Sequence, residues 1–393
     1  MKNNVEMKNF DDAPKRSILK SFLLALPMIL ITFVMMMGPN PPRDPLNLIR
    51  VMIPYIGINV LFFLMVYTGK TDRYRAILFV TMALSFPVGF ILNFFEARGH
   101  LMMLTAEDMI QGNTPFCHIG IPQTLLPAVF KQEIIFPGKI SGSRYSIGAM
   151  LVLWLGISLV LGRGLCSWFC FFGGWEDGCS RVCKKPRIKQ IDRKWTYLPF
   201  ALLLVIALTS ALALSPQYCE WLCPFKTVSE FGEIASMKAV FQTILFVALF
   251  LILVIALPIL TKRRTQCAFF CPLGAMQSFT NKISPFDIRI DTEKCANCKR
   301  CIQICPVFSL DEDSLKTGRP SMTCVKCGKC VDICPKGAIT YHIKGTAINV
   351  RGNIARMLFL YPAFLVLAII GGGMIGAALY RILLLVTTGS IVQ

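Results

Sequence analysis

Two cysteine runs, CANCKRCIQICP from Cys295 and CVKCGKCVDICP from Cys324, repeat the spacing Cys-x2-Cys-x2-Cys-x3-Cys-Pro. Three close thiolates wrap one iron–sulfur cube, and the fourth, before proline, reaches across to ligate a second. The spacing therefore assigns Cys295, Cys298, Cys301 and Cys334 to one [4Fe–4S] cluster, and Cys324, Cys327, Cys330 and Cys305 to another. Pro306 and Pro335 turn the chain after each crossing cysteine. Tetrahedral zinc favours separated Cys-x2-Cys pairs over duplicated triplets with a distant fourth ligand. The chemistry implied is one-electron transfer, so no catalytic residue is expected.

Nine cysteines remain. Three similar pieces follow hydrophobic helices: CSWFCFF at Cys166, CEWLCPF at Cys219 and CAFFCPL at Cys267. A further pair, Cys179 and Cys183, lies just beyond the first. Residues i and i+4 share a helix face, so each pair can offer two thiolates to one centre. Two such pairs supply the four thiolates of a [4Fe–4S] cluster.

The elements that must position these residues are membrane helices. Apolar residues make up 54% of the 393 and charged residues 16%, against about 25% charge in a soluble domain. Seven stretches are long enough to span: 21–37, 51–67, 76–95, 146–162, 197–214, 239–260 and 355–380. The first reads as a retained helix, because GPNPPRDP and no small-residue cleavage site follows it. With a cytoplasmic N-terminus, the inner segments hold 32 of the 41 Lys and Arg. The positive-inside rule then puts the ferredoxin runs in the cytoplasm and the C-terminus outside an inner membrane. The net charge of +19 fits this orientation and anionic lipid better than nucleic acid, because the basic residues cluster at the ends of apolar runs. Run 184–194, KKPRIKQIDRK, reads as a lipid anchor, with docking of an acidic ferredoxin or flavodoxin as the alternative.

Topology limits which pairs can meet. Cys166, Cys170, Cys267 and Cys271 fall at inner helix ends and are expected to bind one cluster. Cys179 and Cys183 either add a cluster or replace the Cys267 pair. Cys219 and Cys223 fall at the opposite end, as does Cys117 in GNTPFCHIGIP, and would form an outer site with His118. A re-entrant fifth span would instead bring all pairs to one side, and an oxidising compartment would allow a disulfide or free thiols. Transmembrane haem is excluded, since His100, His118 and His342 all lie outside the spans and no Cys-x2-Cys-His is present. Glu96, Arg98, His100, Glu107, Asp108 and His118 offer a quinone or partner site in the outer loop, or are ordinary loop charges.

The pair Cys166–Cys170, a two-helix hairpin, CAFFCPLGA at Cys267–Cys271 and the twin runs, over roughly 146–345, resemble the NapH/NosR-type membrane polyferredoxins. The resemblance implies membrane electron transfer in support of respiratory reductases, with quinone chemistry a frequent theme. Phe171 stands where that family usually has proline, and Cys117, Cys179, Cys183, Cys219 and Cys223 exceed its minimal pattern.

The expected fold is an all-α polytopic membrane protein of about seven helices with an inserted α+β bacterial-type 2[4Fe–4S] ferredoxin domain. Its parts are helices and outer loop 1–145, cysteine-bearing helices 146–283, ferredoxin domain 284–345 and last helix and tail 346–393. The expected cofactors are two clusters in that domain, one or two more in the membrane part, and quinone. The expected function is an electron relay between a cytoplasmic redox partner and the quinone pool or an outer-face partner. The alternative is an assembly factor that reduces metal or thiol centres of a respiratory enzyme.

Overall fold

The computed structural model describes residues 17–38, 42–90, 110–111, 117–135, 138–141, 146–188, 191–229, 236–346 and 352–391. Glu96, Arg98, His100, Glu107 and Asp108, considered for a quinone site, lie outside the described residues. Among the described residues six helical stretches are long and apolar enough to cross a membrane: Ile18–Met37, Pro45–Thr68, Ile147–Trp168, Arg193–Ala213, Met237–Thr261 and Asn353–Thr388. The expected stretch 76–95 coincides in part with a helix, Thr71–Gly89, that carries Asp72, Arg73 and Arg75 in its first turns.

Four helices form one bundle. They are α1 (Ile18–Met37), α2 (Pro45–Thr68), α3 (Thr71–Gly89) and the long helix near the C-terminus, Gly352–Thr388, which packs on all three. Helix α2 starts where Asp44 accepts the Asn47 N–H (3.1 Å) and proline occupies the first turn, and it stops at Gly69 with φ 76°. Inside the bundle Asn59 donates to Thr32 Oγ1 (3.1 Å), so the α1–α2 contact buries a satisfied polar pair.

Beside the bundle, one structural unit occurs three times: a long apolar helix, a short return, then Cys-x3-Cys. Its helices are α5 (Ile147–Leu161), α7 (Leu198–Ala213) and α8 (Met237–Thr261), with α4 (Ile121–Phe130) packed against α7. Two of the cysteine pairs start a further helix, α6 (Phe171–Val182) and α9 (Pro272–Ile283). The returns run back along the helices they follow. Thr265 Oγ1 donates to Leu253 O (2.7 Å), and Leu253 lies eight residues before the end of α8, roughly 12 Å along the axis. Leu253 sits where α8 widens into a π-helical stretch, Phe250–Ala256. After α7, Gln217 N–H similarly donates to Ser210 Oγ (3.3 Å). These returns set the cysteines among the helices rather than beyond their ends.

Residues 286–343 pair β1 (Phe286–Ile290) antiparallel with β2 (Ile339–Ile343), Phe286 opposite Ile343. Between the strands lie α10 (Arg300–Ile304), α11 (Glu312–Thr317) and α12 (Lys329–Ile333); the long Gly352–Thr388 helix is then α13. This unit is docked on the bundle by specific contacts. Asp332 on α12 accepts the N–H groups of Thr71 (3.0 Å) and Asp72 (2.6 Å), capping α3 from a site 260 residues away in sequence. Tyr341 stacks on Phe359 of α13 at 4.8 Å. Gly328 has φ +84°, and a Cβ there would meet Tyr341 Oη at 2.7 Å and Thr71 Cβ at 3.0 Å.

Gly328→Ala is therefore expected to loosen this docking, by about 1–3 kcal/mol for an overpacked, strained site. Hydrogen exchange should report it as faster exchange at the start of α3, with the α1–α2 contact unchanged.

Candidate metal centres

Seventeen cysteines are present, all described and none in a disulfide. They fall into groups. One cavity is lined by Cys295, Cys298, Cys301 and Cys334, and a second by Cys305, Cys324, Cys327 and Cys330. The two loops have matching backbones. Asn297 and Lys326 are left-handed (φ 49° each), and so are Lys299 (φ 56°) and Gly328. That repeated curl wraps each triplet round its cavity, and each is followed by one short helix, α10 or α12.

The donor set fits an iron–sulfur cube. Ser309 N–H donates to Cys305 Sγ (3.3 Å) and Ala338 N–H to Cys334 Sγ (3.3 Å), so the crossing cysteines receive matching amide donors. Burial pushes the Cys324 thiol up to about 12 and the Cys301 thiol up to about 11, so only a bound metal centre would hold them as thiolates near neutrality. The thiols surround space rather than converge on a point. Among the described residues, no three His, Cys, Asp or Glu side chains are close enough for a single ion.

Cys166, Cys170, Cys267 and Cys271 form the third group, with their thiols within electrostatic range of one another. Cys170 and Cys271 are the N-caps of α6 and α9, so each sits at the partially positive end of a twelve-residue helix. Arg163 and Arg264 cross between the two pairs. Arg264 Nη2 donates to Cys166 O (2.6 Å) and Cys267 Sγ (3.2 Å), while Arg163 Nη2 donates to Cys267 O (3.0 Å). Glu176 accepts the N–H groups of Gln266 (2.6 Å) and Cys267 (3.0 Å). Both guanidiniums and Glu176 are buried, and Nε of each arginine has no hydrogen-bond partner among the described residues. Two buried guanidiniums set between the cysteine pairs, each with an unused Nε donor, suit an anionic cluster that accepts hydrogen bonds at sulfur.

These arginines were not singled out from the sequence, although a signal exists. Arg-x2-Cys-x3-Cys-x2-Gly occurs as Arg163–Gly173 and again as Arg264–Gly274. The glycines are explained by the crossing. A Cβ on Gly173 would land on the Arg264 guanidinium and lie 2.8 Å from Cys166 O; on Gly274 it would lie 3.1 Å from Cys267 O and 3.3 Å from Arg163 Nη2.

Cys117, Cys219 and Cys223 form the fourth group, again within electrostatic range of one another. His118, considered as their fourth ligand, has its Nε2 2.9 Å from Cys170 Sγ in the third group. Gln123 instead donates to Cys219 Sγ (3.0 Å). The third and fourth groups are neighbours, joined by His118–Cys170 and by Gln266 donating to Tyr218 Oη (2.8 Å). The expectation of two sites at opposite ends of the helices thus meets a different arrangement, because both returns fold inward. Cys179 and Cys183 join none of these groups; Cys179 is nine residues along α6 from Cys170, roughly 13 Å.

Fold and site together define a membrane-helix protein with ferredoxin-type iron–sulfur centres. A 4Fe-4S dicluster domain matches residues 287–335, and a 4Fe-4S binding domain matches three times, over 143–189, 195–238 and 243–291, the three helix–cysteine units described above. The chain is 27% identical over 176 residues to the putative electron transport protein YccM of Escherichia coli, covering 43% of this chain and 48% of YccM. It is 24% identical over 176 residues to the regulatory protein NosR of Stutzerimonas stutzeri (42% of this chain, 23% of NosR) and 25% identical over 174 to protein NirI of Paracoccus denitrificans (41% and 24%). The chain thus spans about half the length of YccM and about a quarter of NosR and NirI. No solved structure matches it. The chain is thus similar, over these regions, to NapH/NosR-type membrane polyferredoxins, and it carries 4Fe-4S domains among apolar helices.

Gly173→Ala should expel Arg264 from between the cysteine pairs and lower iron content by about four per chain, one [4Fe–4S] equivalent. Gly274→Ala, with more room, should retain most of it; iron and sulfide analysis checks both.

Proposed function

We propose that this chain relays single electrons between a cytoplasmic redox partner, such as a ferredoxin or flavodoxin, and the quinone pool or a redox partner at the outer membrane face. The ferredoxin runs would hold two [4Fe–4S] clusters and Cys166, Cys170, Cys267 and Cys271 a third, in seven membrane passes with the ferredoxin domain cytoplasmic and the C-terminus outside.

One observation carries the reading: the loops around Cys305 and Cys324–Cys330 are hydrogen-bonded directly to the segments bearing Cys166 and Cys267. Trp168 Nε1, two residues after Cys166, donates to Lys326 O (3.1 Å). Arg263 Nη1 donates to Cys305 O (2.7 Å), and Arg264 N–H to Pro306 O (2.8 Å). Phe269 packs on Phe308 with ring centroids 5.0 Å apart. When bound, the clusters would each take up and release one electron. The chain's own residues keep that electron on course. Arg163 and Arg264 balance thiolate charge, the helix N-termini at Cys170 and Cys271 add to it, and the burial of Cys166, Cys170, Cys267 and Cys271 excludes water and oxidants. The exposed Cys298 marks the Cys295–Cys301 group as the end open to a soluble partner. The assembly-factor reading needs thiols that a client can reach, and the burial of Cys219 and Cys223 favours the relay over it.

Replacing Cys166 and Cys267 together with alanine tests the relay. Iron should fall by about four per chain, from the loss of one [4Fe–4S] cluster. Dithionite should still reduce the ferredoxin-domain clusters, while their reoxidation by a menaquinone analogue in vesicles should slow by at least about tenfold, which corresponds to about 1.4 kcal/mol on the barrier. Reoxidation at the unaltered rate would refute a route through this group.

A further inference from the structure

We propose that Cys117, Cys219 and Cys223 bind a second membrane iron–sulfur cluster through three thiolates only, leaving one corner iron without a cysteine ligand and open to a single small donor such as water or hydroxide. The inference rests on the iron–sulfur reading of the membrane cysteines and extends it to a group with different ligation.

The cysteine inventory carries the argument. All seventeen are described, so no thiol outside the described residues can complete the set. Eight line the two ferredoxin cavities, four form the Cys166 group, and Cys179 and Cys183 lie along α6 away from both. Three remain, within electrostatic range of one another, with Cys117 packed against the small buried cluster that holds Cys219. Cys219 and Cys223 sit in the second copy of the helix–return–cysteine unit, positioned as the pairs in the other two copies are. Where those two copies serve each other, this one meets the single Cys117.

The surrounding charge differs in the same sense. Pro216 occupies the place held by Arg163 and Arg264 in the other copies, and Lys226 the place of Gly173 and Gly274. Among the described residues no guanidinium is hydrogen-bonded to this group as Arg163 and Arg264 are to the other. The buried Gln123 stands there instead, donating to Cys219 Sγ (3.0 Å) and accepting the Tyr218 N–H (3.0 Å) through Oε1. One ammonium, Lys226, lies within electrostatic range of Cys219 and Cys223, and a single cation with a neutral amide suits a set with one thiolate fewer, as two guanidiniums suit a set of four. His118 Nε2 lies 2.9 Å from Cys170 Sγ in the neighbouring group, while its Nδ1 has no hydrogen-bond partner among the described residues.

A corner iron held by sulfides alone is removable. One-electron oxidation of [4Fe–4S]2+ by ferricyanide gives [4Fe–4S]3+ and ferrocyanide, and release of Fe2+ from the open corner leaves [3Fe–4S]+. Added Fe2+ with one electron from dithionite restores the starting state.

The test uses the full chain, reconstituted anaerobically in detergent and compared with Cys219→Ala, Cys117→Ala and Cys179→Ala. The expected wild-type result is about 16 iron per chain for four clusters, falling by about one on ferricyanide treatment, with a [3Fe–4S] EPR signal near one spin per chain. That signal should vanish in the Cys219 and Cys117 variants, persist in Cys179→Ala, and disappear reversibly on refilling with Fe2+. Ferredoxin-cluster EPR retained in each variant shows that it has folded. About 16 iron with no [3Fe–4S] signal would overturn three-thiolate ligation alone. About 12 iron, unchanged in Cys219→Ala, would overturn this site and leave the Cys166 group standing. About 8 iron would overturn every membrane cluster.

Discussion

Four thiolates and an iron–sulfur core form a net anion, and placing one among apolar helices is costly unless cations and hydrogen bonds accompany it. The crossed pair Arg163 and Arg264 would meet that requirement for a cluster at the Cys166 group, and much of the architecture follows from accommodating the two guanidiniums. Each guanidinium is anchored on backbone of the opposite repeat, at Cys166 O or Cys267 O, so neither pair of cysteines is held by its own segment alone. Gly173 and Gly274 leave the room. Glu176 adds a carboxylate that fastens the Gln266–Cys267 amides and limits the local excess of positive charge.

The same segments hold the ferredoxin unit in place. Arg264 presents its guanidinium to the membrane thiols and its N–H to Pro306 O, so one residue ties the membrane cysteines to the ferredoxin unit. On the other side, Arg75 of α3 lies wholly buried between Asp72 (2.7 Å) and Asp177 (3.0 Å) and donates to Ser167 O (3.0 Å). Asp332 caps α3 at its start. Buried ion pairs of this kind are weak stabilisers relative to apolar packing but fix one geometry, because each unpaired alternative leaves a bare charge. Electron transfer needs that fixity, since small displacements alter the coupling between centres.

Two neighbouring thiol groups with unlike surroundings give the membrane half a graded character. The Cys166 group has two guanidiniums and two helix N-termini; the Cys219 group has one ammonium, Lys226, an amide and one cysteine fewer. Cluster potentials depend on net charge, hydrogen bonds to sulfur and exposure, so clusters bound at the two groups would differ in potential even at close range.

The amino-acid sequence alone determined how the ferredoxin cysteines group around two cavities, because consecutive spacing within each run dictates which thiols lie together. It also determined the membrane character and the threefold recurrence of helix plus Cys-x3-Cys, since apolar length and i,i+4 periodicity are local properties. Pairing Cys166–Cys170 with Cys267–Cys271 was legible from topology. What only the tertiary structure decided is how deep the cysteine segments lie and who neighbours whom. The inward returns at Thr265 and Gln217, the placing of His118 on Cys170 rather than with Cys219, and the crossing arginines all depend on contacts between residues tens to hundreds of positions apart. Hydropathy marks where a helix ends, but it carries no record of a chain that turns back alongside the helix it has just left.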